Sequence, residues 1–529
     1  MFALIIKGRH IGRPLQIVIR KMLKDKFYIT TPLYYVNASP HIGHSYTTIA
    51  ADCLARYYRR ALGEDKVWFL TGTDEHGQKI QRAADEAKLT PQEFADEIVV
   101  KFKENWKRLG ISYNDFIRTT EERHRETVQR ALDILYKKGD IYQDRYEGLY
   151  CTPCETFWLQ SQALDNLCPD CKRPVEIIKE TNYFFKLSKY QDWLISYIEK
   201  TPAFIEPKIR HNEVLSFLKL NKLADLCISR PKERLSWGIP LPFNPNFIAY
   251  VWIDALLNYI SAVGKFDESG AYHSKWWPAD LQLIGKDILR QHAVYWPIML
   301  HALEIELPKT IFAHGWWLMG EGKMSKSRGN VISPIEMVDK FGIDVYRYFL
   351  LRDVPFGMDG NFSQDALIRR FNGDLANDLG NLVYRTLTMV EKYFEGKVQG
   401  SGFPGPPVAL AGTGRVQGSG AKLIEEMNSL PGRIEKCMKI PDFSPALEEI
   451  WKIVNMANKY VEETKPWNLS KENKIDELKA FISLLVGVIR TVSDAISPFM
   501  PQTADSINEQ IGSGVIKKGK PLFPRIDVS

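Results

Sequence analysis

The sequence predicts an α/β fold: a parallel sheet covered by helices on both faces, split by an insertion and followed by a helical bundle. Three observations carry this. Short β-branched or aromatic runs alternate with helical patterns as far as His314, as they do where strands are joined by helical crossovers. The interval between the second and third of these runs is too long for a crossover and holds two Cys-x-x-Cys pairs. Beyond Leu351 strand-like runs cease and helical periodicity takes over.

Composition bounds the classes available. At 529 residues the chain supports several domains, and 45% hydrophobic with 12% aromatic content supplies real cores. No apolar run reaches the length that spans a bilayer, so no membrane role is expected. The net charge of +6 suggests nucleic acid, but its location does not. Residues 1–24 hold Lys7, Arg9, Arg13, Arg20, Lys21 and Lys24 and no acid, and the remainder balances at 64 basic and 64 acidic residues. Any affinity for RNA must then come from local patches. The 1–24 segment lacks the serine enrichment of an organellar leader and reads as a mostly disordered basic segment, either an upstream extension or an overcalled start, so the expected location is cytoplasmic. Seven cysteines, four in two close pairs, suit a reducing compartment and a metal site better than a disulfide framework.

Residues 27–31 form the first strand candidate. Pro32 and Pro40 break the chain, and a helix opens at Gly43 with Tyr46, Ile49, Ala50, Cys53, Leu54 and Tyr57 on one apolar face. His41 and His44 therefore stand at a strand-to-helix turn, beside helix-start N–H groups that favour phosphate. Gly43 lets a ligand lie against the backbone. Further strands are expected at 67–71, 247–251, 281–284 and 311–314, with helices at 91–109 and 287–303. Ligands bind beyond the carboxyl ends of such strands. There the chain places Asp74-Glu-His-Gly77, Trp252-Ile-Asp-Ala255, Gly285-Lys-Asp287 and His314-Gly315.

The insertion, 146–230, opens with Cys151-Thr-Pro-Cys154 and continues to Cys168-Pro-Asp-Cys171. Two such pairs can bring four thiolates to one tetrahedral Zn2+, and four cysteines leave no open position for catalysis, so a structural knuckle over 151–171 is expected. The 13 intervening residues are slightly short for the usual double knuckle and require a folded-back loop. Cys53, Cys227 and Cys437 read as small core residues. Residues 366–395 read as one long helix, with Leu367, Phe371, Leu375, Leu379, Leu382 and Val383 buried and Asn377, Asn381 and Arg385 as an exposed row. The Gly- and Pro-rich stretch 396–421 reads as a flexible insertion. Helices at 444–464 and 472–496 complete a bundle, and Pro466 stops the first of them just before Trp467.

His41-Ile-Gly-His44, followed by Lys323-Met-Ser-Lys326-Ser327 in a loop flanked by Gly322 and Gly329, resembles the class I aminoacyl-tRNA synthetases. Thr31-Pro-Leu33-Tyr-Tyr35, Thr71-Gly-Thr-Asp74-Glu-His-Gly77, Tyr250-Val-Trp252-Ile-Asp-Ala255, Gly285-Lys-Asp-Ile-Leu-Arg-Gln-His292-Ala-Val-Tyr-Trp296-Pro297 and Phe312-Ala-His-Gly-Trp316 are similar to the bacterial-type methionyl-tRNA synthetases, from about Lys26 to the C-terminus. The resemblance implies a Rossmann-type catalytic domain over 25–145 and 231–310, split by the zinc-binding insertion. It also implies a stem-contact region with the lysine loop over 311–360 and an α-helical bundle that binds the anticodon over 361–529.

The implied activity joins methionine to ATP, with Mg2+, and passes it to tRNA(Met), initiator and elongator. By the same resemblance the catalytic groups are His41, His44, Lys323 and Lys326, and ATP is held by His41, Gly43, His44, Gly285, Asp287 and Lys326. Leu33, Tyr35, Trp252, Ala255, Leu256, Tyr259, His292 and Trp296 would line the methionine pocket, Asp74 would take the ammonium, and Asn381, Arg385 and Trp467 would read the anticodon. A thioether is a weak acceptor without charge, so aromatic and apolar walls suit it. Trp467 offers a stacking face for an unpaired base. Plainer alternatives stand beside these: Trp296 as core, Trp467 as a cap on the bundle, Arg385 as a surface charge, and the lysine loop as a solvated loop. Gln291 departs from the family pattern, which has an aromatic before the histidine. The interval between the second and third strands is too short for the editing insertion of the isoleucine, valine and leucine enzymes. With no oligonucleotide-binding domain after Arg525, a monomer is expected. Two other classes stand against this: a different nucleotidyl-transferring enzyme would not need the zinc insertion or the C-terminal helical bundle, and a non-catalytic RNA-binding protein would have no reason to keep both phosphate motifs.

Overall fold

The structure, a computed structural model, describes residues 25–37, 39–151, 156–158, 163–169, 171–319, 322–323, 332–398, 418–512 and 515–526. The segment 1–24, Cys154, Lys326 and most of 396–421 lie outside them. Contacts divide the chain into two compact units, Lys26–Ala51 with Val67–Trp316, and Asp25, Asp52–Lys66 and the residues from Trp317 onward. Among the described residues no helix is long and apolar enough to cross a membrane.

The first unit enters through β1 (Phe27–Thr30) and the short β2 (Tyr34–Tyr35), then starts helix α1 (Ile42–Leu62), whose residues from Asp52 onward belong to the second unit. β3 (Val67–Asp74) is followed by α2 (Gln78–Ala87) and α3 (Pro91–Arg108). The α3 start is fixed by a capping box, in which Thr90 accepts from the Glu93 N–H, Glu93 accepts from the Thr90 N–H, and Pro91 fills the first turn. β4 (Asp115–Arg118) and α4 (Glu122–Lys137) lead to an antiparallel insertion of β5 (Ile141–Cys151), β6 (Thr156–Trp158) and β7 (Glu176–Phe185). Helix α5 (Gln191–Lys200), β8 (Ile205–Glu206) and α6 (Lys208–Leu220) follow, then β9 (Leu226–Cys227), which returns to pair with β7. Next come β10 (Ser229–Pro231), β11 (Pro240–Leu241), β12 (Asn244–Ala249), α7 (Val251–Leu256), α8 (Asn258–Ser261), the hairpin β13 (Gly264–Phe266) with β14 (Tyr272–Ser274), β15 (Leu281–Gly285), α9 (Trp296–Ala302) and β16 (Ile311–His314).

The main sheet runs β2-β3-β1-β15-β16-β8, with β4 on β3, and every pairing is parallel. Thr30 sits opposite both Leu70 and Gln282, and Gly285 opposite His314. The strand ends that carry Thr31, Asp74, Gly285 and His314 therefore lie side by side. Tyr28, Ile29, Leu70, Leu283 and Ile284 are buried, as sheets covered on both faces demand.

Three expectations for this unit need correction. Residues 247–251 do not form a strand of the parallel sheet. β12 belongs to a small antiparallel sheet with β10 and β11, and Trp252–Ala255 sits on α7. Asn244, Pro245 and Asn246 at its outer end are partly or fully exposed, which a parallel strand covered on both faces does not tolerate. The stretch 146–230 is not wholly an insertion, because β8 pairs with β16 in the main sheet. Helix α1 does not bury one face alone, since Thr47, Thr48 and Asp52 are as buried as Ile49 and Leu54. Of the three spare cysteines, Cys53 and Cys227 are buried, but Cys437 is only half-buried.

The second unit holds a three-stranded sheet of β17 (Trp317–Met319), β18 (Gly322–Lys323) and β19 (Gly360–Asn361). Helices α10 (Pro334–Phe341), α11 (Ile343–Arg352), α12 (Gln364–Arg370) and α13 (Asn381–Phe394) follow, with a π-helical stretch, Phe371–Gly380, between the last two. The remainder is α14 (Ser419–Lys439), α15 (Phe443–Thr464), α16 (Pro466–Lys471), α17 (Ile475–Ile496) and α18 (Pro501–Ile511). The expected stripe from Leu367 to Val383 is buried throughout. The bundle is larger than two helices after the insertion: α14 and α18 add Leu423, Met427, Leu430 and Ile507 to its core. Pro431 inside α14 and Pro501 at the start of α18 disguise both patterns.

One ion pair fastens this unit from within. Arg347 on α11 is fully buried, donating to Asp52 at 2.7 Å and to the carbonyls of Phe499 and Pro498 at 2.9 and 3.1 Å. Arg56 also donates to Asp52 at 2.7 Å. Replacing Arg347 by methionine removes the fully buried one of the two counter-charges of Asp52 and should destabilise the protein by ~3–5 kcal/mol. Urea midpoints will read this, and the double change Arg347→Met with Asp52→Leu should recover much of it. An unmoved midpoint in the single variant contradicts the account.

Candidate active site

At the start of α1, His41 and His44 stack with ring centroids 3.8 Å apart. His41 Nδ1 accepts from the Gly43 N–H at 3.1 Å, and His44 Nδ1 accepts from the His41 N–H at 3.3 Å. In a neutral imidazole this places the proton of each ring on Nε2, which makes both Nε2–H groups donors. A Cβ on Gly43 would stand 3.0 Å from the His41 ring, so glycine is what lets that ring cap the helix. Tyr34 stands 5.0 Å from His44 and stacks on Phe102 of α3, with its hydroxyl 2.6 Å from Thr48. The neighbouring strand end contributes His314, whose Nε2 meets the Thr47 hydroxyl at 2.6 Å and whose Nδ1–H donates to the Gly315 carbonyl at 2.7 Å. Burial lowers the His314 pKa and favours this neutral form.

The β3 end presents Asp74, Glu75 and His76, all buried. Glu75 accepts from Arg118 at 2.7 and 2.9 Å, from Thr73 at 2.6 Å and from Thr120 at 2.7 Å. His76 Nδ1 donates to Asp254 Oδ2 at 2.6 Å, and His124 Nε2 donates to Asp254 Oδ1 at 2.7 Å. Burial alone would raise the pKa of Asp254, but the two imidazoles outweigh it and hold the carboxylate at about 2. Asp74 is thus carried on a turn whose next two side chains are each tied into a separate buried network. His76 and Asp254 both stand inside sequence motifs that give neither of them a role, and no spacing in the chain announces His124.

Tyr259, His292 and Trp296 pack together below this turn. His292 Nδ1–H donates to the Ile288 carbonyl at 2.9 Å, so its Nε2 accepts the Tyr259 hydroxyl proton at 2.8 Å. Trp296 is fully buried, 5.8 Å from Tyr259, with its indole N–H on Gln282 at 3.1 Å. Trp252 meets His292 edge-on at 6.5 Å, and Ala255 and Leu256 are buried beside it on α7. Leu33 and Tyr35 are half-buried against the same core, and the Tyr35 hydroxyl donates to the His76 carbonyl at 2.9 Å. The eight expected wall residues thus share one unit, and six of them, Leu33, Tyr35, Trp252, Leu256, Tyr259 and Trp296, belong to or pack against one core. Gln291 lies in the π-helical stretch Gln291–Tyr295, and its amide oxygen is buried with no hydrogen-bond partner among the described residues.

Gly285 and Asp287 flank the β15 end. A Cβ on Gly285 would stand 2.6 Å from the Asp287 carboxylate, which accepts from the Trp316 indole at 3.1 Å. Lys286 lies over the Trp316 ring at 4.1 Å. Lys326 and the Lys323 side chain lie outside the described residues.

In the insertion, the sulfurs of Cys151, Cys168 and Cys171 all lie within 4.8 Å of one another, and Cys151 and Cys171 are 3.5 Å apart. Thiolates bound tetrahedrally at zinc–sulfur distances of about 2.3 Å are about 3.8 Å apart, so the three fit such an ion. Leu149, Trp158 and Ala163 pack around them. In the second unit Asn377 and Asn381 are exposed as expected, but Arg385 is half-buried and donates to Glu462 of α15 at 2.7 Å. Trp467, 41% exposed, sits in α16, which Pro466 opens where it ends α15.

A family model described as tRNA synthetases class I (M) matches residues 27–177 and 171–387, and one described as the anticodon-binding domain of tRNA ligase matches 421–521. The methionine–tRNA ligase of Caldanaerobacter subterraneus subsp. tengcongensis is 50% identical over 525 residues, covering 96% of this chain and 80% of that protein. That of Bacillus subtilis is 42% identical over 538 residues, covering 95% and 78%. The crystal structure of Mycobacterium tuberculosis methionyl-tRNA synthetase bound by methionyl-adenylate superposes with a TM-score of 0.86 at 37% identity, covering 94% of this chain and all of that one.

Burial pushes the His292 imidazole down to about 4, against the weaker pull of the Ile288 carbonyl. The unfolded chain takes up a proton near pH 6.5 that the folded chain refuses until about pH 4. The stability linked to His292 is therefore complete above about pH 6.5 and lost on acidification. Between pH 7 and 5 the protein should lose about 2 kcal/mol more than its His292→Gln variant, measured by urea unfolding. Equal losses contradict a neutral His292.

Proposed function

The chain belongs to the methionyl-tRNA synthetase family of class I aminoacyl-tRNA synthetases, and from that membership we propose how its residues divide the reaction. It is a methionine–tRNA ligase. A methionine carboxylate oxygen attacks the α-phosphorus of ATP, pyrophosphate leaves, and a ribose hydroxyl at the 3′ end of tRNA then takes the methionyl group and releases AMP. No covalent enzyme intermediate is needed, so the chain's task is to align reactants and to stabilise charge on phosphate oxygens.

The observation that carries the residue assignments is that four neighbouring parallel strand ends bring an imidazole pair and a buried carboxylate into the same unit as the aromatic residues of α7, α8 and the segment after β15. His41 and His44 donate through Nε2–H to the phosphates at the start of α1, where the helix dipole adds to the attraction. Gly43 leaves the backbone there open to close approach. Gly285 and Asp287 hold the adenosine half, and ATP brings its Mg2+. Asp74 takes the methionine ammonium, and Leu33, Tyr35, Trp252, Ala255, Leu256, Tyr259, His292 and Trp296 enclose the side chain. Lys323 and Lys326 are assigned to the triphosphate on the motif alone. Removing one such donor typically costs ~3–4 kcal/mol in the transition state.

For the anticodon of tRNA(Met), initiator and elongator alike, Trp467 offers a stacking face and Asn381 and Arg385 offer edge hydrogen bonds. Arg385 must exchange its Glu462 partner to do so. Cys151, Cys154, Cys168 and Cys171 are assigned to one structural zinc, which would cross-link the insertion loops and take no part in the chemistry. Cytoplasmic location accords with this role in translation.

Methionine-dependent exchange of pyrophosphate into ATP tests the function. Methionine alone among the amino acids should drive it efficiently, and Lys326→Ala should slow it by about 10²–10³-fold with folding retained. Exchange driven by another amino acid and not by methionine overturns the reading. For the metal, purified protein should contain one zinc per chain and Cys171→Ser should lose it. A zinc-free native protein contradicts the assignment.

A further inference from the structure

We propose that the buried Asp254 carboxylate, clamped between His76 and His124, is the positioning unit that sets the shape of the methionine pocket and thereby its selectivity. The proposal rests on the pocket assignment above.

The walls of that pocket come from three separate stretches, residues 33–35, 252–259 and 292–296. A thioether gives the protein little to hold except shape, so selectivity depends on how firmly these stretches are held at fixed separations. Apolar packing alone leaves room for side chains to shift. A fully buried carboxylate does not, because any movement that opens one of its hydrogen bonds strands charge in the interior.

Asp254 stands on α7 between Trp252 and Ala255 with no solvent exposure. One oxygen takes the His76 Nδ1–H at 2.6 Å, and the His76 carbonyl accepts the Tyr35 hydroxyl at 2.9 Å. Its other oxygen takes the His124 Nε2–H at 2.7 Å. The second nitrogen of His124 meets Ser261 at 2.9 Å, and Ser261 caps the Asn258 carbonyl at 3.1 Å, closing the short helix that carries Tyr259. Tyr259 reaches His292 at 2.8 Å. Hydrogen bonds thus run from Tyr35 through α7 to α8, and the α8 backbone carries the link on to Tyr259 and His292. His76 also lies two residues from Asp74, so the ammonium-binding carboxylate is held by the same clamp.

A merely structural ion pair would lower stability and depress all kinetic constants together. A positioning unit moves the methionine terms selectively. His76→Leu and His124→Leu should each raise the methionine KM in pyrophosphate exchange by about tenfold or more, leave the ATP KM within about twofold, and reduce the preference for methionine over leucine. His76→Asn and His124→Gln each keep an N–H near the lost one and should restore most of that preference. Should the leucine variants fail to fold, Asp254→Asn, which keeps the shape and removes the charge, should show the same methionine-specific loss. Parallel shifts in both KM values, or a lower melting temperature with the methionine preference intact, overturn the proposal. Ala255→Val serves as the reference, since it narrows the pocket directly. If it moves the methionine KM while the clamp variants do not, the clamp is wrong and the pocket stands; if it too leaves methionine binding unchanged, the pocket assignment falls and the clamp with it.

Discussion

The first unit depends on the parallel register of β1, β3, β15 and β16. Parallel pairing aligns their carboxyl ends along one edge, and each end hands the chain to a turn that bears chemistry: His41 and His44 after β1, Asp74 to His76 after β3, Gly285 to Asp287 after β15, His314 after β16. A slip of one residue in any of these strands would turn its side chains to the other face and take the turn out of line. The apolar interior between Tyr28, Leu70, Leu283 and Ile284 is what forbids that slip. Packing and function are therefore the same constraint seen from two ends of the strand.

Both units use a buried carboxylate where apolar packing would give less geometric control. In the first, Asp254 joins α7 to the β3 turn and to α4 through two histidines. In the second, Asp52 receives Arg347, which also gathers the carbonyls of Pro498 and Phe499 at the end of α17. Such groups add little net stability compared with apolar substitutes, but they tolerate only one arrangement. The neutral imidazoles follow the same logic. His292 and His314 are held uncharged by burial, each with Nδ1–H on a carbonyl and Nε2 turned to a hydroxyl, which fixes ring orientation as well as protonation.

Much of this was legible beforehand, and what was not has physical reasons. β1, β3, β15, β16, α1, α3 and the long helices α15 and α17 carry strong apolar patterns and were read to within a few residues. β8 is only two residues long, and β4 places Phe116 and Ile117 between Asp115 and Arg118, so neither makes an apolar run, yet both complete the sheet. The run at 247–251 has the composition of a buried strand, and nothing local says that its partners are β10 and β11. The site shows the same division. His41, His44 and the cysteine pairs declare themselves by spacing, since their chemistry is local. Asp254 and His124 act across 130 residues of sequence, and only the fold brings them together.

The place where the reaction intermediate lies decides whether these residues act as assigned. The direct test is a crystal structure of the protein with a non-hydrolysable methionyl-adenylate analogue. The thioether should lie among Leu33, Trp252, Ala255, Tyr259 and His292, with the ammonium on Asp74 and the phosphate-mimicking oxygens within hydrogen-bond reach of His41 or His44. An analogue bound with its side chain outside those walls, or with that linkage away from the start of α1, contradicts the central claim.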